Sequence, residues 1–185
     1  DTIADLLEGR FSHGCCTLRD GTVVVAGGFN ATGYLSSAEL FNPETASWTT
    51  LPSMAFPREG CGCCALADGR ALVAGGWGDE GLLAVCEIYD PLLETWEEVA
   101  PMSTPRHSFG MCTVGDGYTV MVFGGWCEPA ETESASPAAG SAEQTTALRE
   151  AEAYDSILDS WSALPPMPLP RVRCAVVPVQ SMQLT

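Results

Sequence analysis

Three near-copies of one pattern run along this chain, and they limit what it can fold into more than any other feature. Asp20-Gly21, Asp68-Gly69 and Asp116-Gly117 recur at intervals of 48 residues, as do Arg10, Arg58 and Arg106. The pairs Gly27-Gly28, Gly75-Gly76 and Gly124-Gly125 follow, then Glu39, Glu87 and Glu152, each nine residues before Trp48, Trp96 or Trp161. Met54, Met102 or Met167 stands six residues past each Trp, and Arg58, Arg106 or Arg171 four beyond that. A period in this range belongs to stacked supersecondary units, none of which can bury its apolar faces alone. Function must then reside in an array, not in one catalytic motif.

Within a unit the signals are short strands punctuated by turns. Cys15 to Leu18 is apolar and runs into Arg19-Asp20-Gly21, a turn whose Gly takes a positive backbone angle. Thr22 to Ala26, Arg70 to Ala74 and Tyr118 to Phe123 are nearly continuous apolar runs, as strands covered on both faces are. The glycine pair ends each run, where a missing side chain lets another backbone approach. A third strand is predicted at Ala38 to Phe41, Cys86 to Tyr89 and Ala151 to Tyr154, and a fourth from Trp48, Trp96 or Trp161. Each unit thus reads as a four-stranded antiparallel meander.

The chemistry of the remaining residues excludes more than it suggests. A net charge of −16, with eight arginines and no lysine, leaves no basic stripe for nucleic acid or anionic lipid. No apolar run approaches the length of a membrane-crossing helix, so no direct membrane insertion is expected. Of nine cysteines, Cys16, Cys64 and Cys112 share one repeat position, and Cys61 and Cys174 another, so they read as small core residues in a reducing compartment. No second CxxC pair and no His cluster supplies a four-ligand zinc set, and no cofactor is expected. His13 and His107 are the two histidines; both fall next to repeat landmarks and read as blade-edge residues. No nucleophile has a base at recognisable spacing, so no catalytic residue is assigned.

Asp-Gly, an apolar strand, Gly-Gly, a Glu with an aromatic two residues on, a spaced Trp, Pro-Met and Arg together resemble the kelch repeat, over roughly residues 10–177. The resemblance implies an all-β fold, a kelch-type β-propeller in which each repeat is a blade, with the repeat Trp, aromatic and Arg packing between blades. Three full repeats are fewer than a closed propeller needs. The expected form is therefore an open arc of about three blades, or a part of a longer chain, and Asp1 in place of Met fits a processed or partial chain. Its parts are a flank at 1–9, repeats at 10–57, 58–105 and 106–170, and a tail at 171–185 beginning with the first strand of a fourth repeat. Val23 to Val25 and Val172 to Val177 are expected as apolar strands exposed at the ends of the arc.

In such a meander the connections between strands two and three share a face with the inter-blade linkers. There Glu152 follows Gly125 by 27 positions, against 11 for the corresponding pair in the others, which leaves an acidic insert at about 127–148. Such a loop either engages another chain or packs back on its own blades. The residues expected to contact a protein partner are Phe29, Tyr34, Trp77, Asp79, Glu80, Trp126, Glu128, Glu131, Glu133 and Glu143. The expected function is a non-catalytic interaction module or accessory subunit of a multi-protein assembly. The alternative is a fragment of a copper enzyme similar to galactose oxidase, for which Tyr34, Tyr89, Tyr118 and Tyr154 are the available tyrosines.

Overall fold

The computed structural model describes residues 4–128 and 146–176. These form an all-β arc of three blades, each a four-stranded antiparallel meander. Blade one holds β1 (Gly14–Thr17), β2 (Val23–Ala26), β5 (Ala38–Asn42) and β6 (Ser47–Leu51), with the short hairpin β3 (Phe29–Asn30) and β4 (Gly33–Tyr34) between its second and third strands. Blade two repeats this with β7 (Gly62–Ala65), β8 (Ala71–Ala74), β11 (Cys86–Asp90), β12 (Thr95–Val99) and the hairpin β9 (Trp77–Gly78), β10 (Gly81–Leu82). Blade three has β13 (Gly110–Val114), β14 (Thr119–Phe123), β17 (Ala151–Asp155), β18 (Ser160–Leu164) and the hairpin β15 (Trp126–Cys127), β16 (Thr146–Ala147). The strands of the three blades follow the sequence reading, whereas residues 171–176, expected to begin the first strand of a fourth repeat, form no strand; the three hairpins, expected as loops, are an addition to it.

The turn chemistry is as the sequence implies. Gly21, Gly69 and Gly117 have φ of 88°, 93° and 87°, where only glycine is unstrained. Each preceding aspartate accepts the backbone N–H two residues on, from Thr22, Arg70 or Tyr118. The glycine pairs are where blades touch: a Cβ on Gly27 would lie 2.5 Å from the Arg58 carbonyl oxygen, and one on Gly75 2.6 Å from that of Arg106.

Apolar burial sits between blades. Leu18, Val24, Ala26 and Met54 of blade one and its linker pack with Ala71, Val73 and Tyr89 of blade two. Leu72, Ile88 and Met102 pack with Val120, Val122 and Tyr154 of blade three in the same way. Alternation along β8 sends Ala71 and Val73 one way and Leu72 and Ala74 the other, which is why a central-blade strand is apolar throughout.

Three expectations are corrected. Val24 and Val25 are buried, not exposed at the end of the arc; Val172 and Val176 are partly buried, with Val176 against Gly110, and Val177 lies outside the described residues. The repeat tryptophans do pack between blades, but at the margin of the core and only partly buried, Trp96 donating its indole N–H to the linker carbonyl of Pro52 and Trp161 to that of Ala100, both at 2.8 Å. Residues 4–9 are more than a flank. Trp48 donates to Ala4 and Leu7 N–H to Glu39, as Trp96 donates to Pro52 and Ala55 N–H to Glu87, so Leu6 stands in the register of Met54.

Candidate functional site

Each hairpin is held at its base by a buried arginine. The Arg58 side chain is fully buried; its Nη1 donates to the carbonyls of Gly75 and Val85, both at 2.9 Å, and its Nη2 lies 2.6 Å from Glu87 Oε2. Arg106 bonds Gly124, Glu150 and Glu152 in the same way, and Arg10 bonds Gly27, Ser37 and Glu39. One carbonyl precedes the hairpin and the other follows it, so the guanidinium closes the connection between the second and third strands. A buried charge is tolerated only when paired and hydrogen-bonded, and these are both. The carboxylate's other contacts reach the linker, at Ala55 N–H from Glu87 and Ser103 N–H from Glu152.

A second element locks the face at the arc's inner rim. Ser12, Gly60, Ser108 and Arg173 occupy one repeat position, all with left-handed φ of 50° to 61°. Gly60 N–H donates to Ser12 O, Ser108 N–H to Gly60 O and Arg173 N–H to Ser108 O, each at 2.7 Å. The result is a ladder of backbone hydrogen bonds running from blade to blade.

These supports present a surface of aromatic and acidic groups. Phe29, Trp77 and Trp126 open the three hairpins and bridge to Phe11, Glu59 and His107, the residues just after the repeat arginines. Trp77 meets His107 edge-to-face across the blade boundary at 5.6 Å, while Phe29 contacts Phe11 at 5.5 Å and Tyr34 at 5.0 Å. Two equivalent clefts flank them: one of about 240 Å³ among Phe56, Pro57, Asp79, Glu80 and Leu83, and one of about 230 Å³ among Leu82, Thr104, Pro105 and Glu128. A wider depression of about 420 Å³ opens at the inner rim over His13, Cys61, Phe109 and Arg173. Burial pushes the Glu59 carboxyl above its ordinary value. Burial also lowers the His13 and His107 imidazoles, aided by the charges of Arg10 and Arg173 respectively.

The residues picked out from the sequence fall into two groups. Phe29, Tyr34, Trp77 and Trp126 are half-buried on the hairpins, while Asp79, Glu80 and Glu128 are exposed at or beside their tips. Glu131, Glu133 and Glu143 lie outside the described residues. Phe11 and Glu59 join this surface without having been singled out from the sequence, and His107, read there as a blade-edge residue, joins it too; their shared place one residue after each repeat arginine offers a signal.

Among the described residues no group of three or more His, Cys, Asp or Glu side chains could hold a metal ion. All nine cysteines carry free thiols, and burial pushes Cys64 and Cys86 up to about 12, which suppresses the reactive thiolate. Cys15 departs from the core reading, since it is exposed on β1 of the first blade. Tyr89 and Tyr154 are buried against Trp96 and Trp161, within the blades.

Comparison with known proteins bears on the same residues. The Kelch motif matches in three consecutive segments, residues 10–55, 57–103 and 105–168. The chain is also similar to an F-box/kelch-repeat protein of Arabidopsis thaliana, 43% identical over 60 residues. That stretch is 32% of this chain and spans 16% of the length of the relative.

Proposed function

Since the chain belongs to the kelch-repeat family, whose repeats generally serve as protein-interaction modules, we propose that it is a non-catalytic interaction module, an accessory part of a larger protein assembly, that binds through its hairpin face. The observation that carries this reading is the row of half-buried aromatics, Phe29, Trp77 and Trp126, set beside clefts edged by Asp79, Glu80 and Glu128. Aromatic side chains with one face free supply contact area at low conformational cost, and an acidic surround selects a partner with basic side chains.

The test is co-purification from the native source, comparing the wild-type chain with an Asp79→Lys, Glu80→Lys, Glu128→Lys variant. Loss of specific partners at an unchanged melting temperature is expected. An identical set of captured proteins would overturn the assignment of the face.

A further inference from the structure

The turns between third and fourth strands, at the end of each blade opposite the hairpins, carry a feature the interaction face does not account for. In blade two the turn presents Leu92 and Leu93, exposed by 92% and 71%; in blade three the equivalent positions are Ile157 and Leu158, exposed by 71% and 72%. Blade one has Glu44 and Thr45 there, so the turn itself has no need of aliphatic side chains. Blade two is flanked by a blade on each side, and its pair is exposed all the same. No additional blade would cover it.

The backbone that carries the four side chains is held in place. Asp90 Oδ1 accepts the N–H groups of Leu92 and Leu93 at 2.8 and 3.1 Å, and Asp155 Oδ1 those of Ile157 and Leu158 at 2.9 and 3.0 Å. Turns fixed this way lose little freedom when a partner docks. The two pairs are spaced along the outer edge of blade two: Leu93 precedes the edge strand β12, and Ala100, which follows it, donates its N–H to Asp159 of the next turn. Seven residues of extended chain at about 3.3 Å each separate the pairs by roughly 20 Å. Between them β12 exposes Glu97 and Glu98, and residues 90–99 and 155–164 together contain six acids and no Lys or Arg.

We propose that this edge is a second docking surface, distinct from the hairpin face, for a basic amphipathic helix of a partner protein. The helix would lay aliphatic side chains on the Leu92–Leu93 and Ile157–Leu158 pairs and Lys or Arg over the acids between them. Charge selects this occupant: a second copy, at −16, and an anionic membrane would both be repelled. A helix of about 14 residues spans the distance at its rise of about 1.5 Å per residue.

The probe is a fluorescent helix-forming peptide of about that length, with leucines on one face and lysines on the other, titrated with the full chain. Binding is expected to weaken at least tenfold in a Leu92→Ser, Leu93→Ser, Ile157→Ser, Leu158→Ser variant, which keeps every charge. It is expected to persist in the hairpin-face variant Asp79→Lys, Glu80→Lys, Glu128→Lys, so this surface and the proposed function stand or fall separately. Equal affinity in the serine variant, or equal binding of a peptide with Glu in place of Lys, would overturn the proposal. So would concentration-dependent self-association that the serine variant abolishes, because it would make a second copy the occupant. Amide exchange on the wild-type chain gives a readout that needs no variant: the peptide should protect residues 90–95 and 155–160, and protection confined to the hairpins would refute the placement.

Discussion

Arg58 and Glu87 meet at 2.6 Å with both side chains essentially sealed from solvent, and through them the linker, the hairpin base and the third strand of blade two become one unit. Removing one partner of such a pair leaves an uncompensated charge in the interior, at a cost of about 3–5 kcal/mol. Glu87→Ala is expected to lower stability by that amount in urea unfolding. The double variant Arg58→Met, Glu87→Leu should lose less than the sum of the two single changes. Strict additivity would mean that the pair is not coupled.

The repeat tryptophan contributes less than a fully buried aromatic. Trp96 packs on Tyr89 with ring centroids 5.2 Å apart and donates to Pro52, yet keeps part of its surface in water. Trp96→Ala should therefore cost about 2 kcal/mol, below the roughly 3–5 kcal/mol typical of a sealed site. Trp96→Phe, which mainly loses the indole N–H bond, should cost about 1 kcal/mol. Equal losses for the two substitutions would show that the hydrogen bond, not the packing, dominates.

Two glycines with positive φ separate crowding from backbone strain. Gly69 has φ of 93°, and a methyl group added there would meet nothing within 4 Å, whereas at Gly75 the Arg106 carbonyl and Met102 Cε would stand 2.6 and 2.7 Å away. Gly69→Ala should cost about 1 kcal/mol from conformation alone. Gly75→Ala must also push two blades apart and should cost at least twice as much. Similar melting temperatures for the two variants would contradict the close approach.

Stability should fall on mild acidification. His13 and His107 have imidazoles depressed by burial, so below about pH 6.5 the unfolded chain takes up protons before the folded one does. Their contribution is complete above that pH and is lost as pH drops through the folded values. Glu59, raised by burial, works in the opposite sense toward the lower end of the range. Urea midpoints should decline between about pH 7 and pH 5.5 in the wild type and decline less in a His13→Asn, His107→Asn variant. A slope unchanged by the double substitution would remove the histidines from the account.

How much the sequence reveals depends on whether a feature recurs. Strands and turns repeat at fixed spacing and are legible, because burial on both faces demands apolar runs; the arginines and glutamates recur too, but their pairing shows only in the structure, since the third pair is 46 residues apart where the others are 29. The hairpins are not legible: two-residue strands such as Trp77–Gly78 are too short to show alternation. Residues 4–9 are hard to recognise as part of the repeat because Leu6 replaces the methionine of the pattern, although the 48-residue offset to Met54 is present. The Leu92 and Ile157 pairs give no periodic signal, since an exposed aliphatic residue in a turn obeys no packing rule; only comparison with Glu44 and Thr45 marks them.

The ladder through Ser12, Gly60, Ser108 and Arg173 consists of main-chain atoms alone. What joins one blade to the next at its narrowest radius is thus indifferent to side-chain identity, provided the residue can adopt a left-handed angle. Serine, glycine and arginine all do so here. A lineage can therefore rewrite the hairpins, lengthen one of them, or turn a polar tip aliphatic, while the angle between neighbouring blades stays as it was.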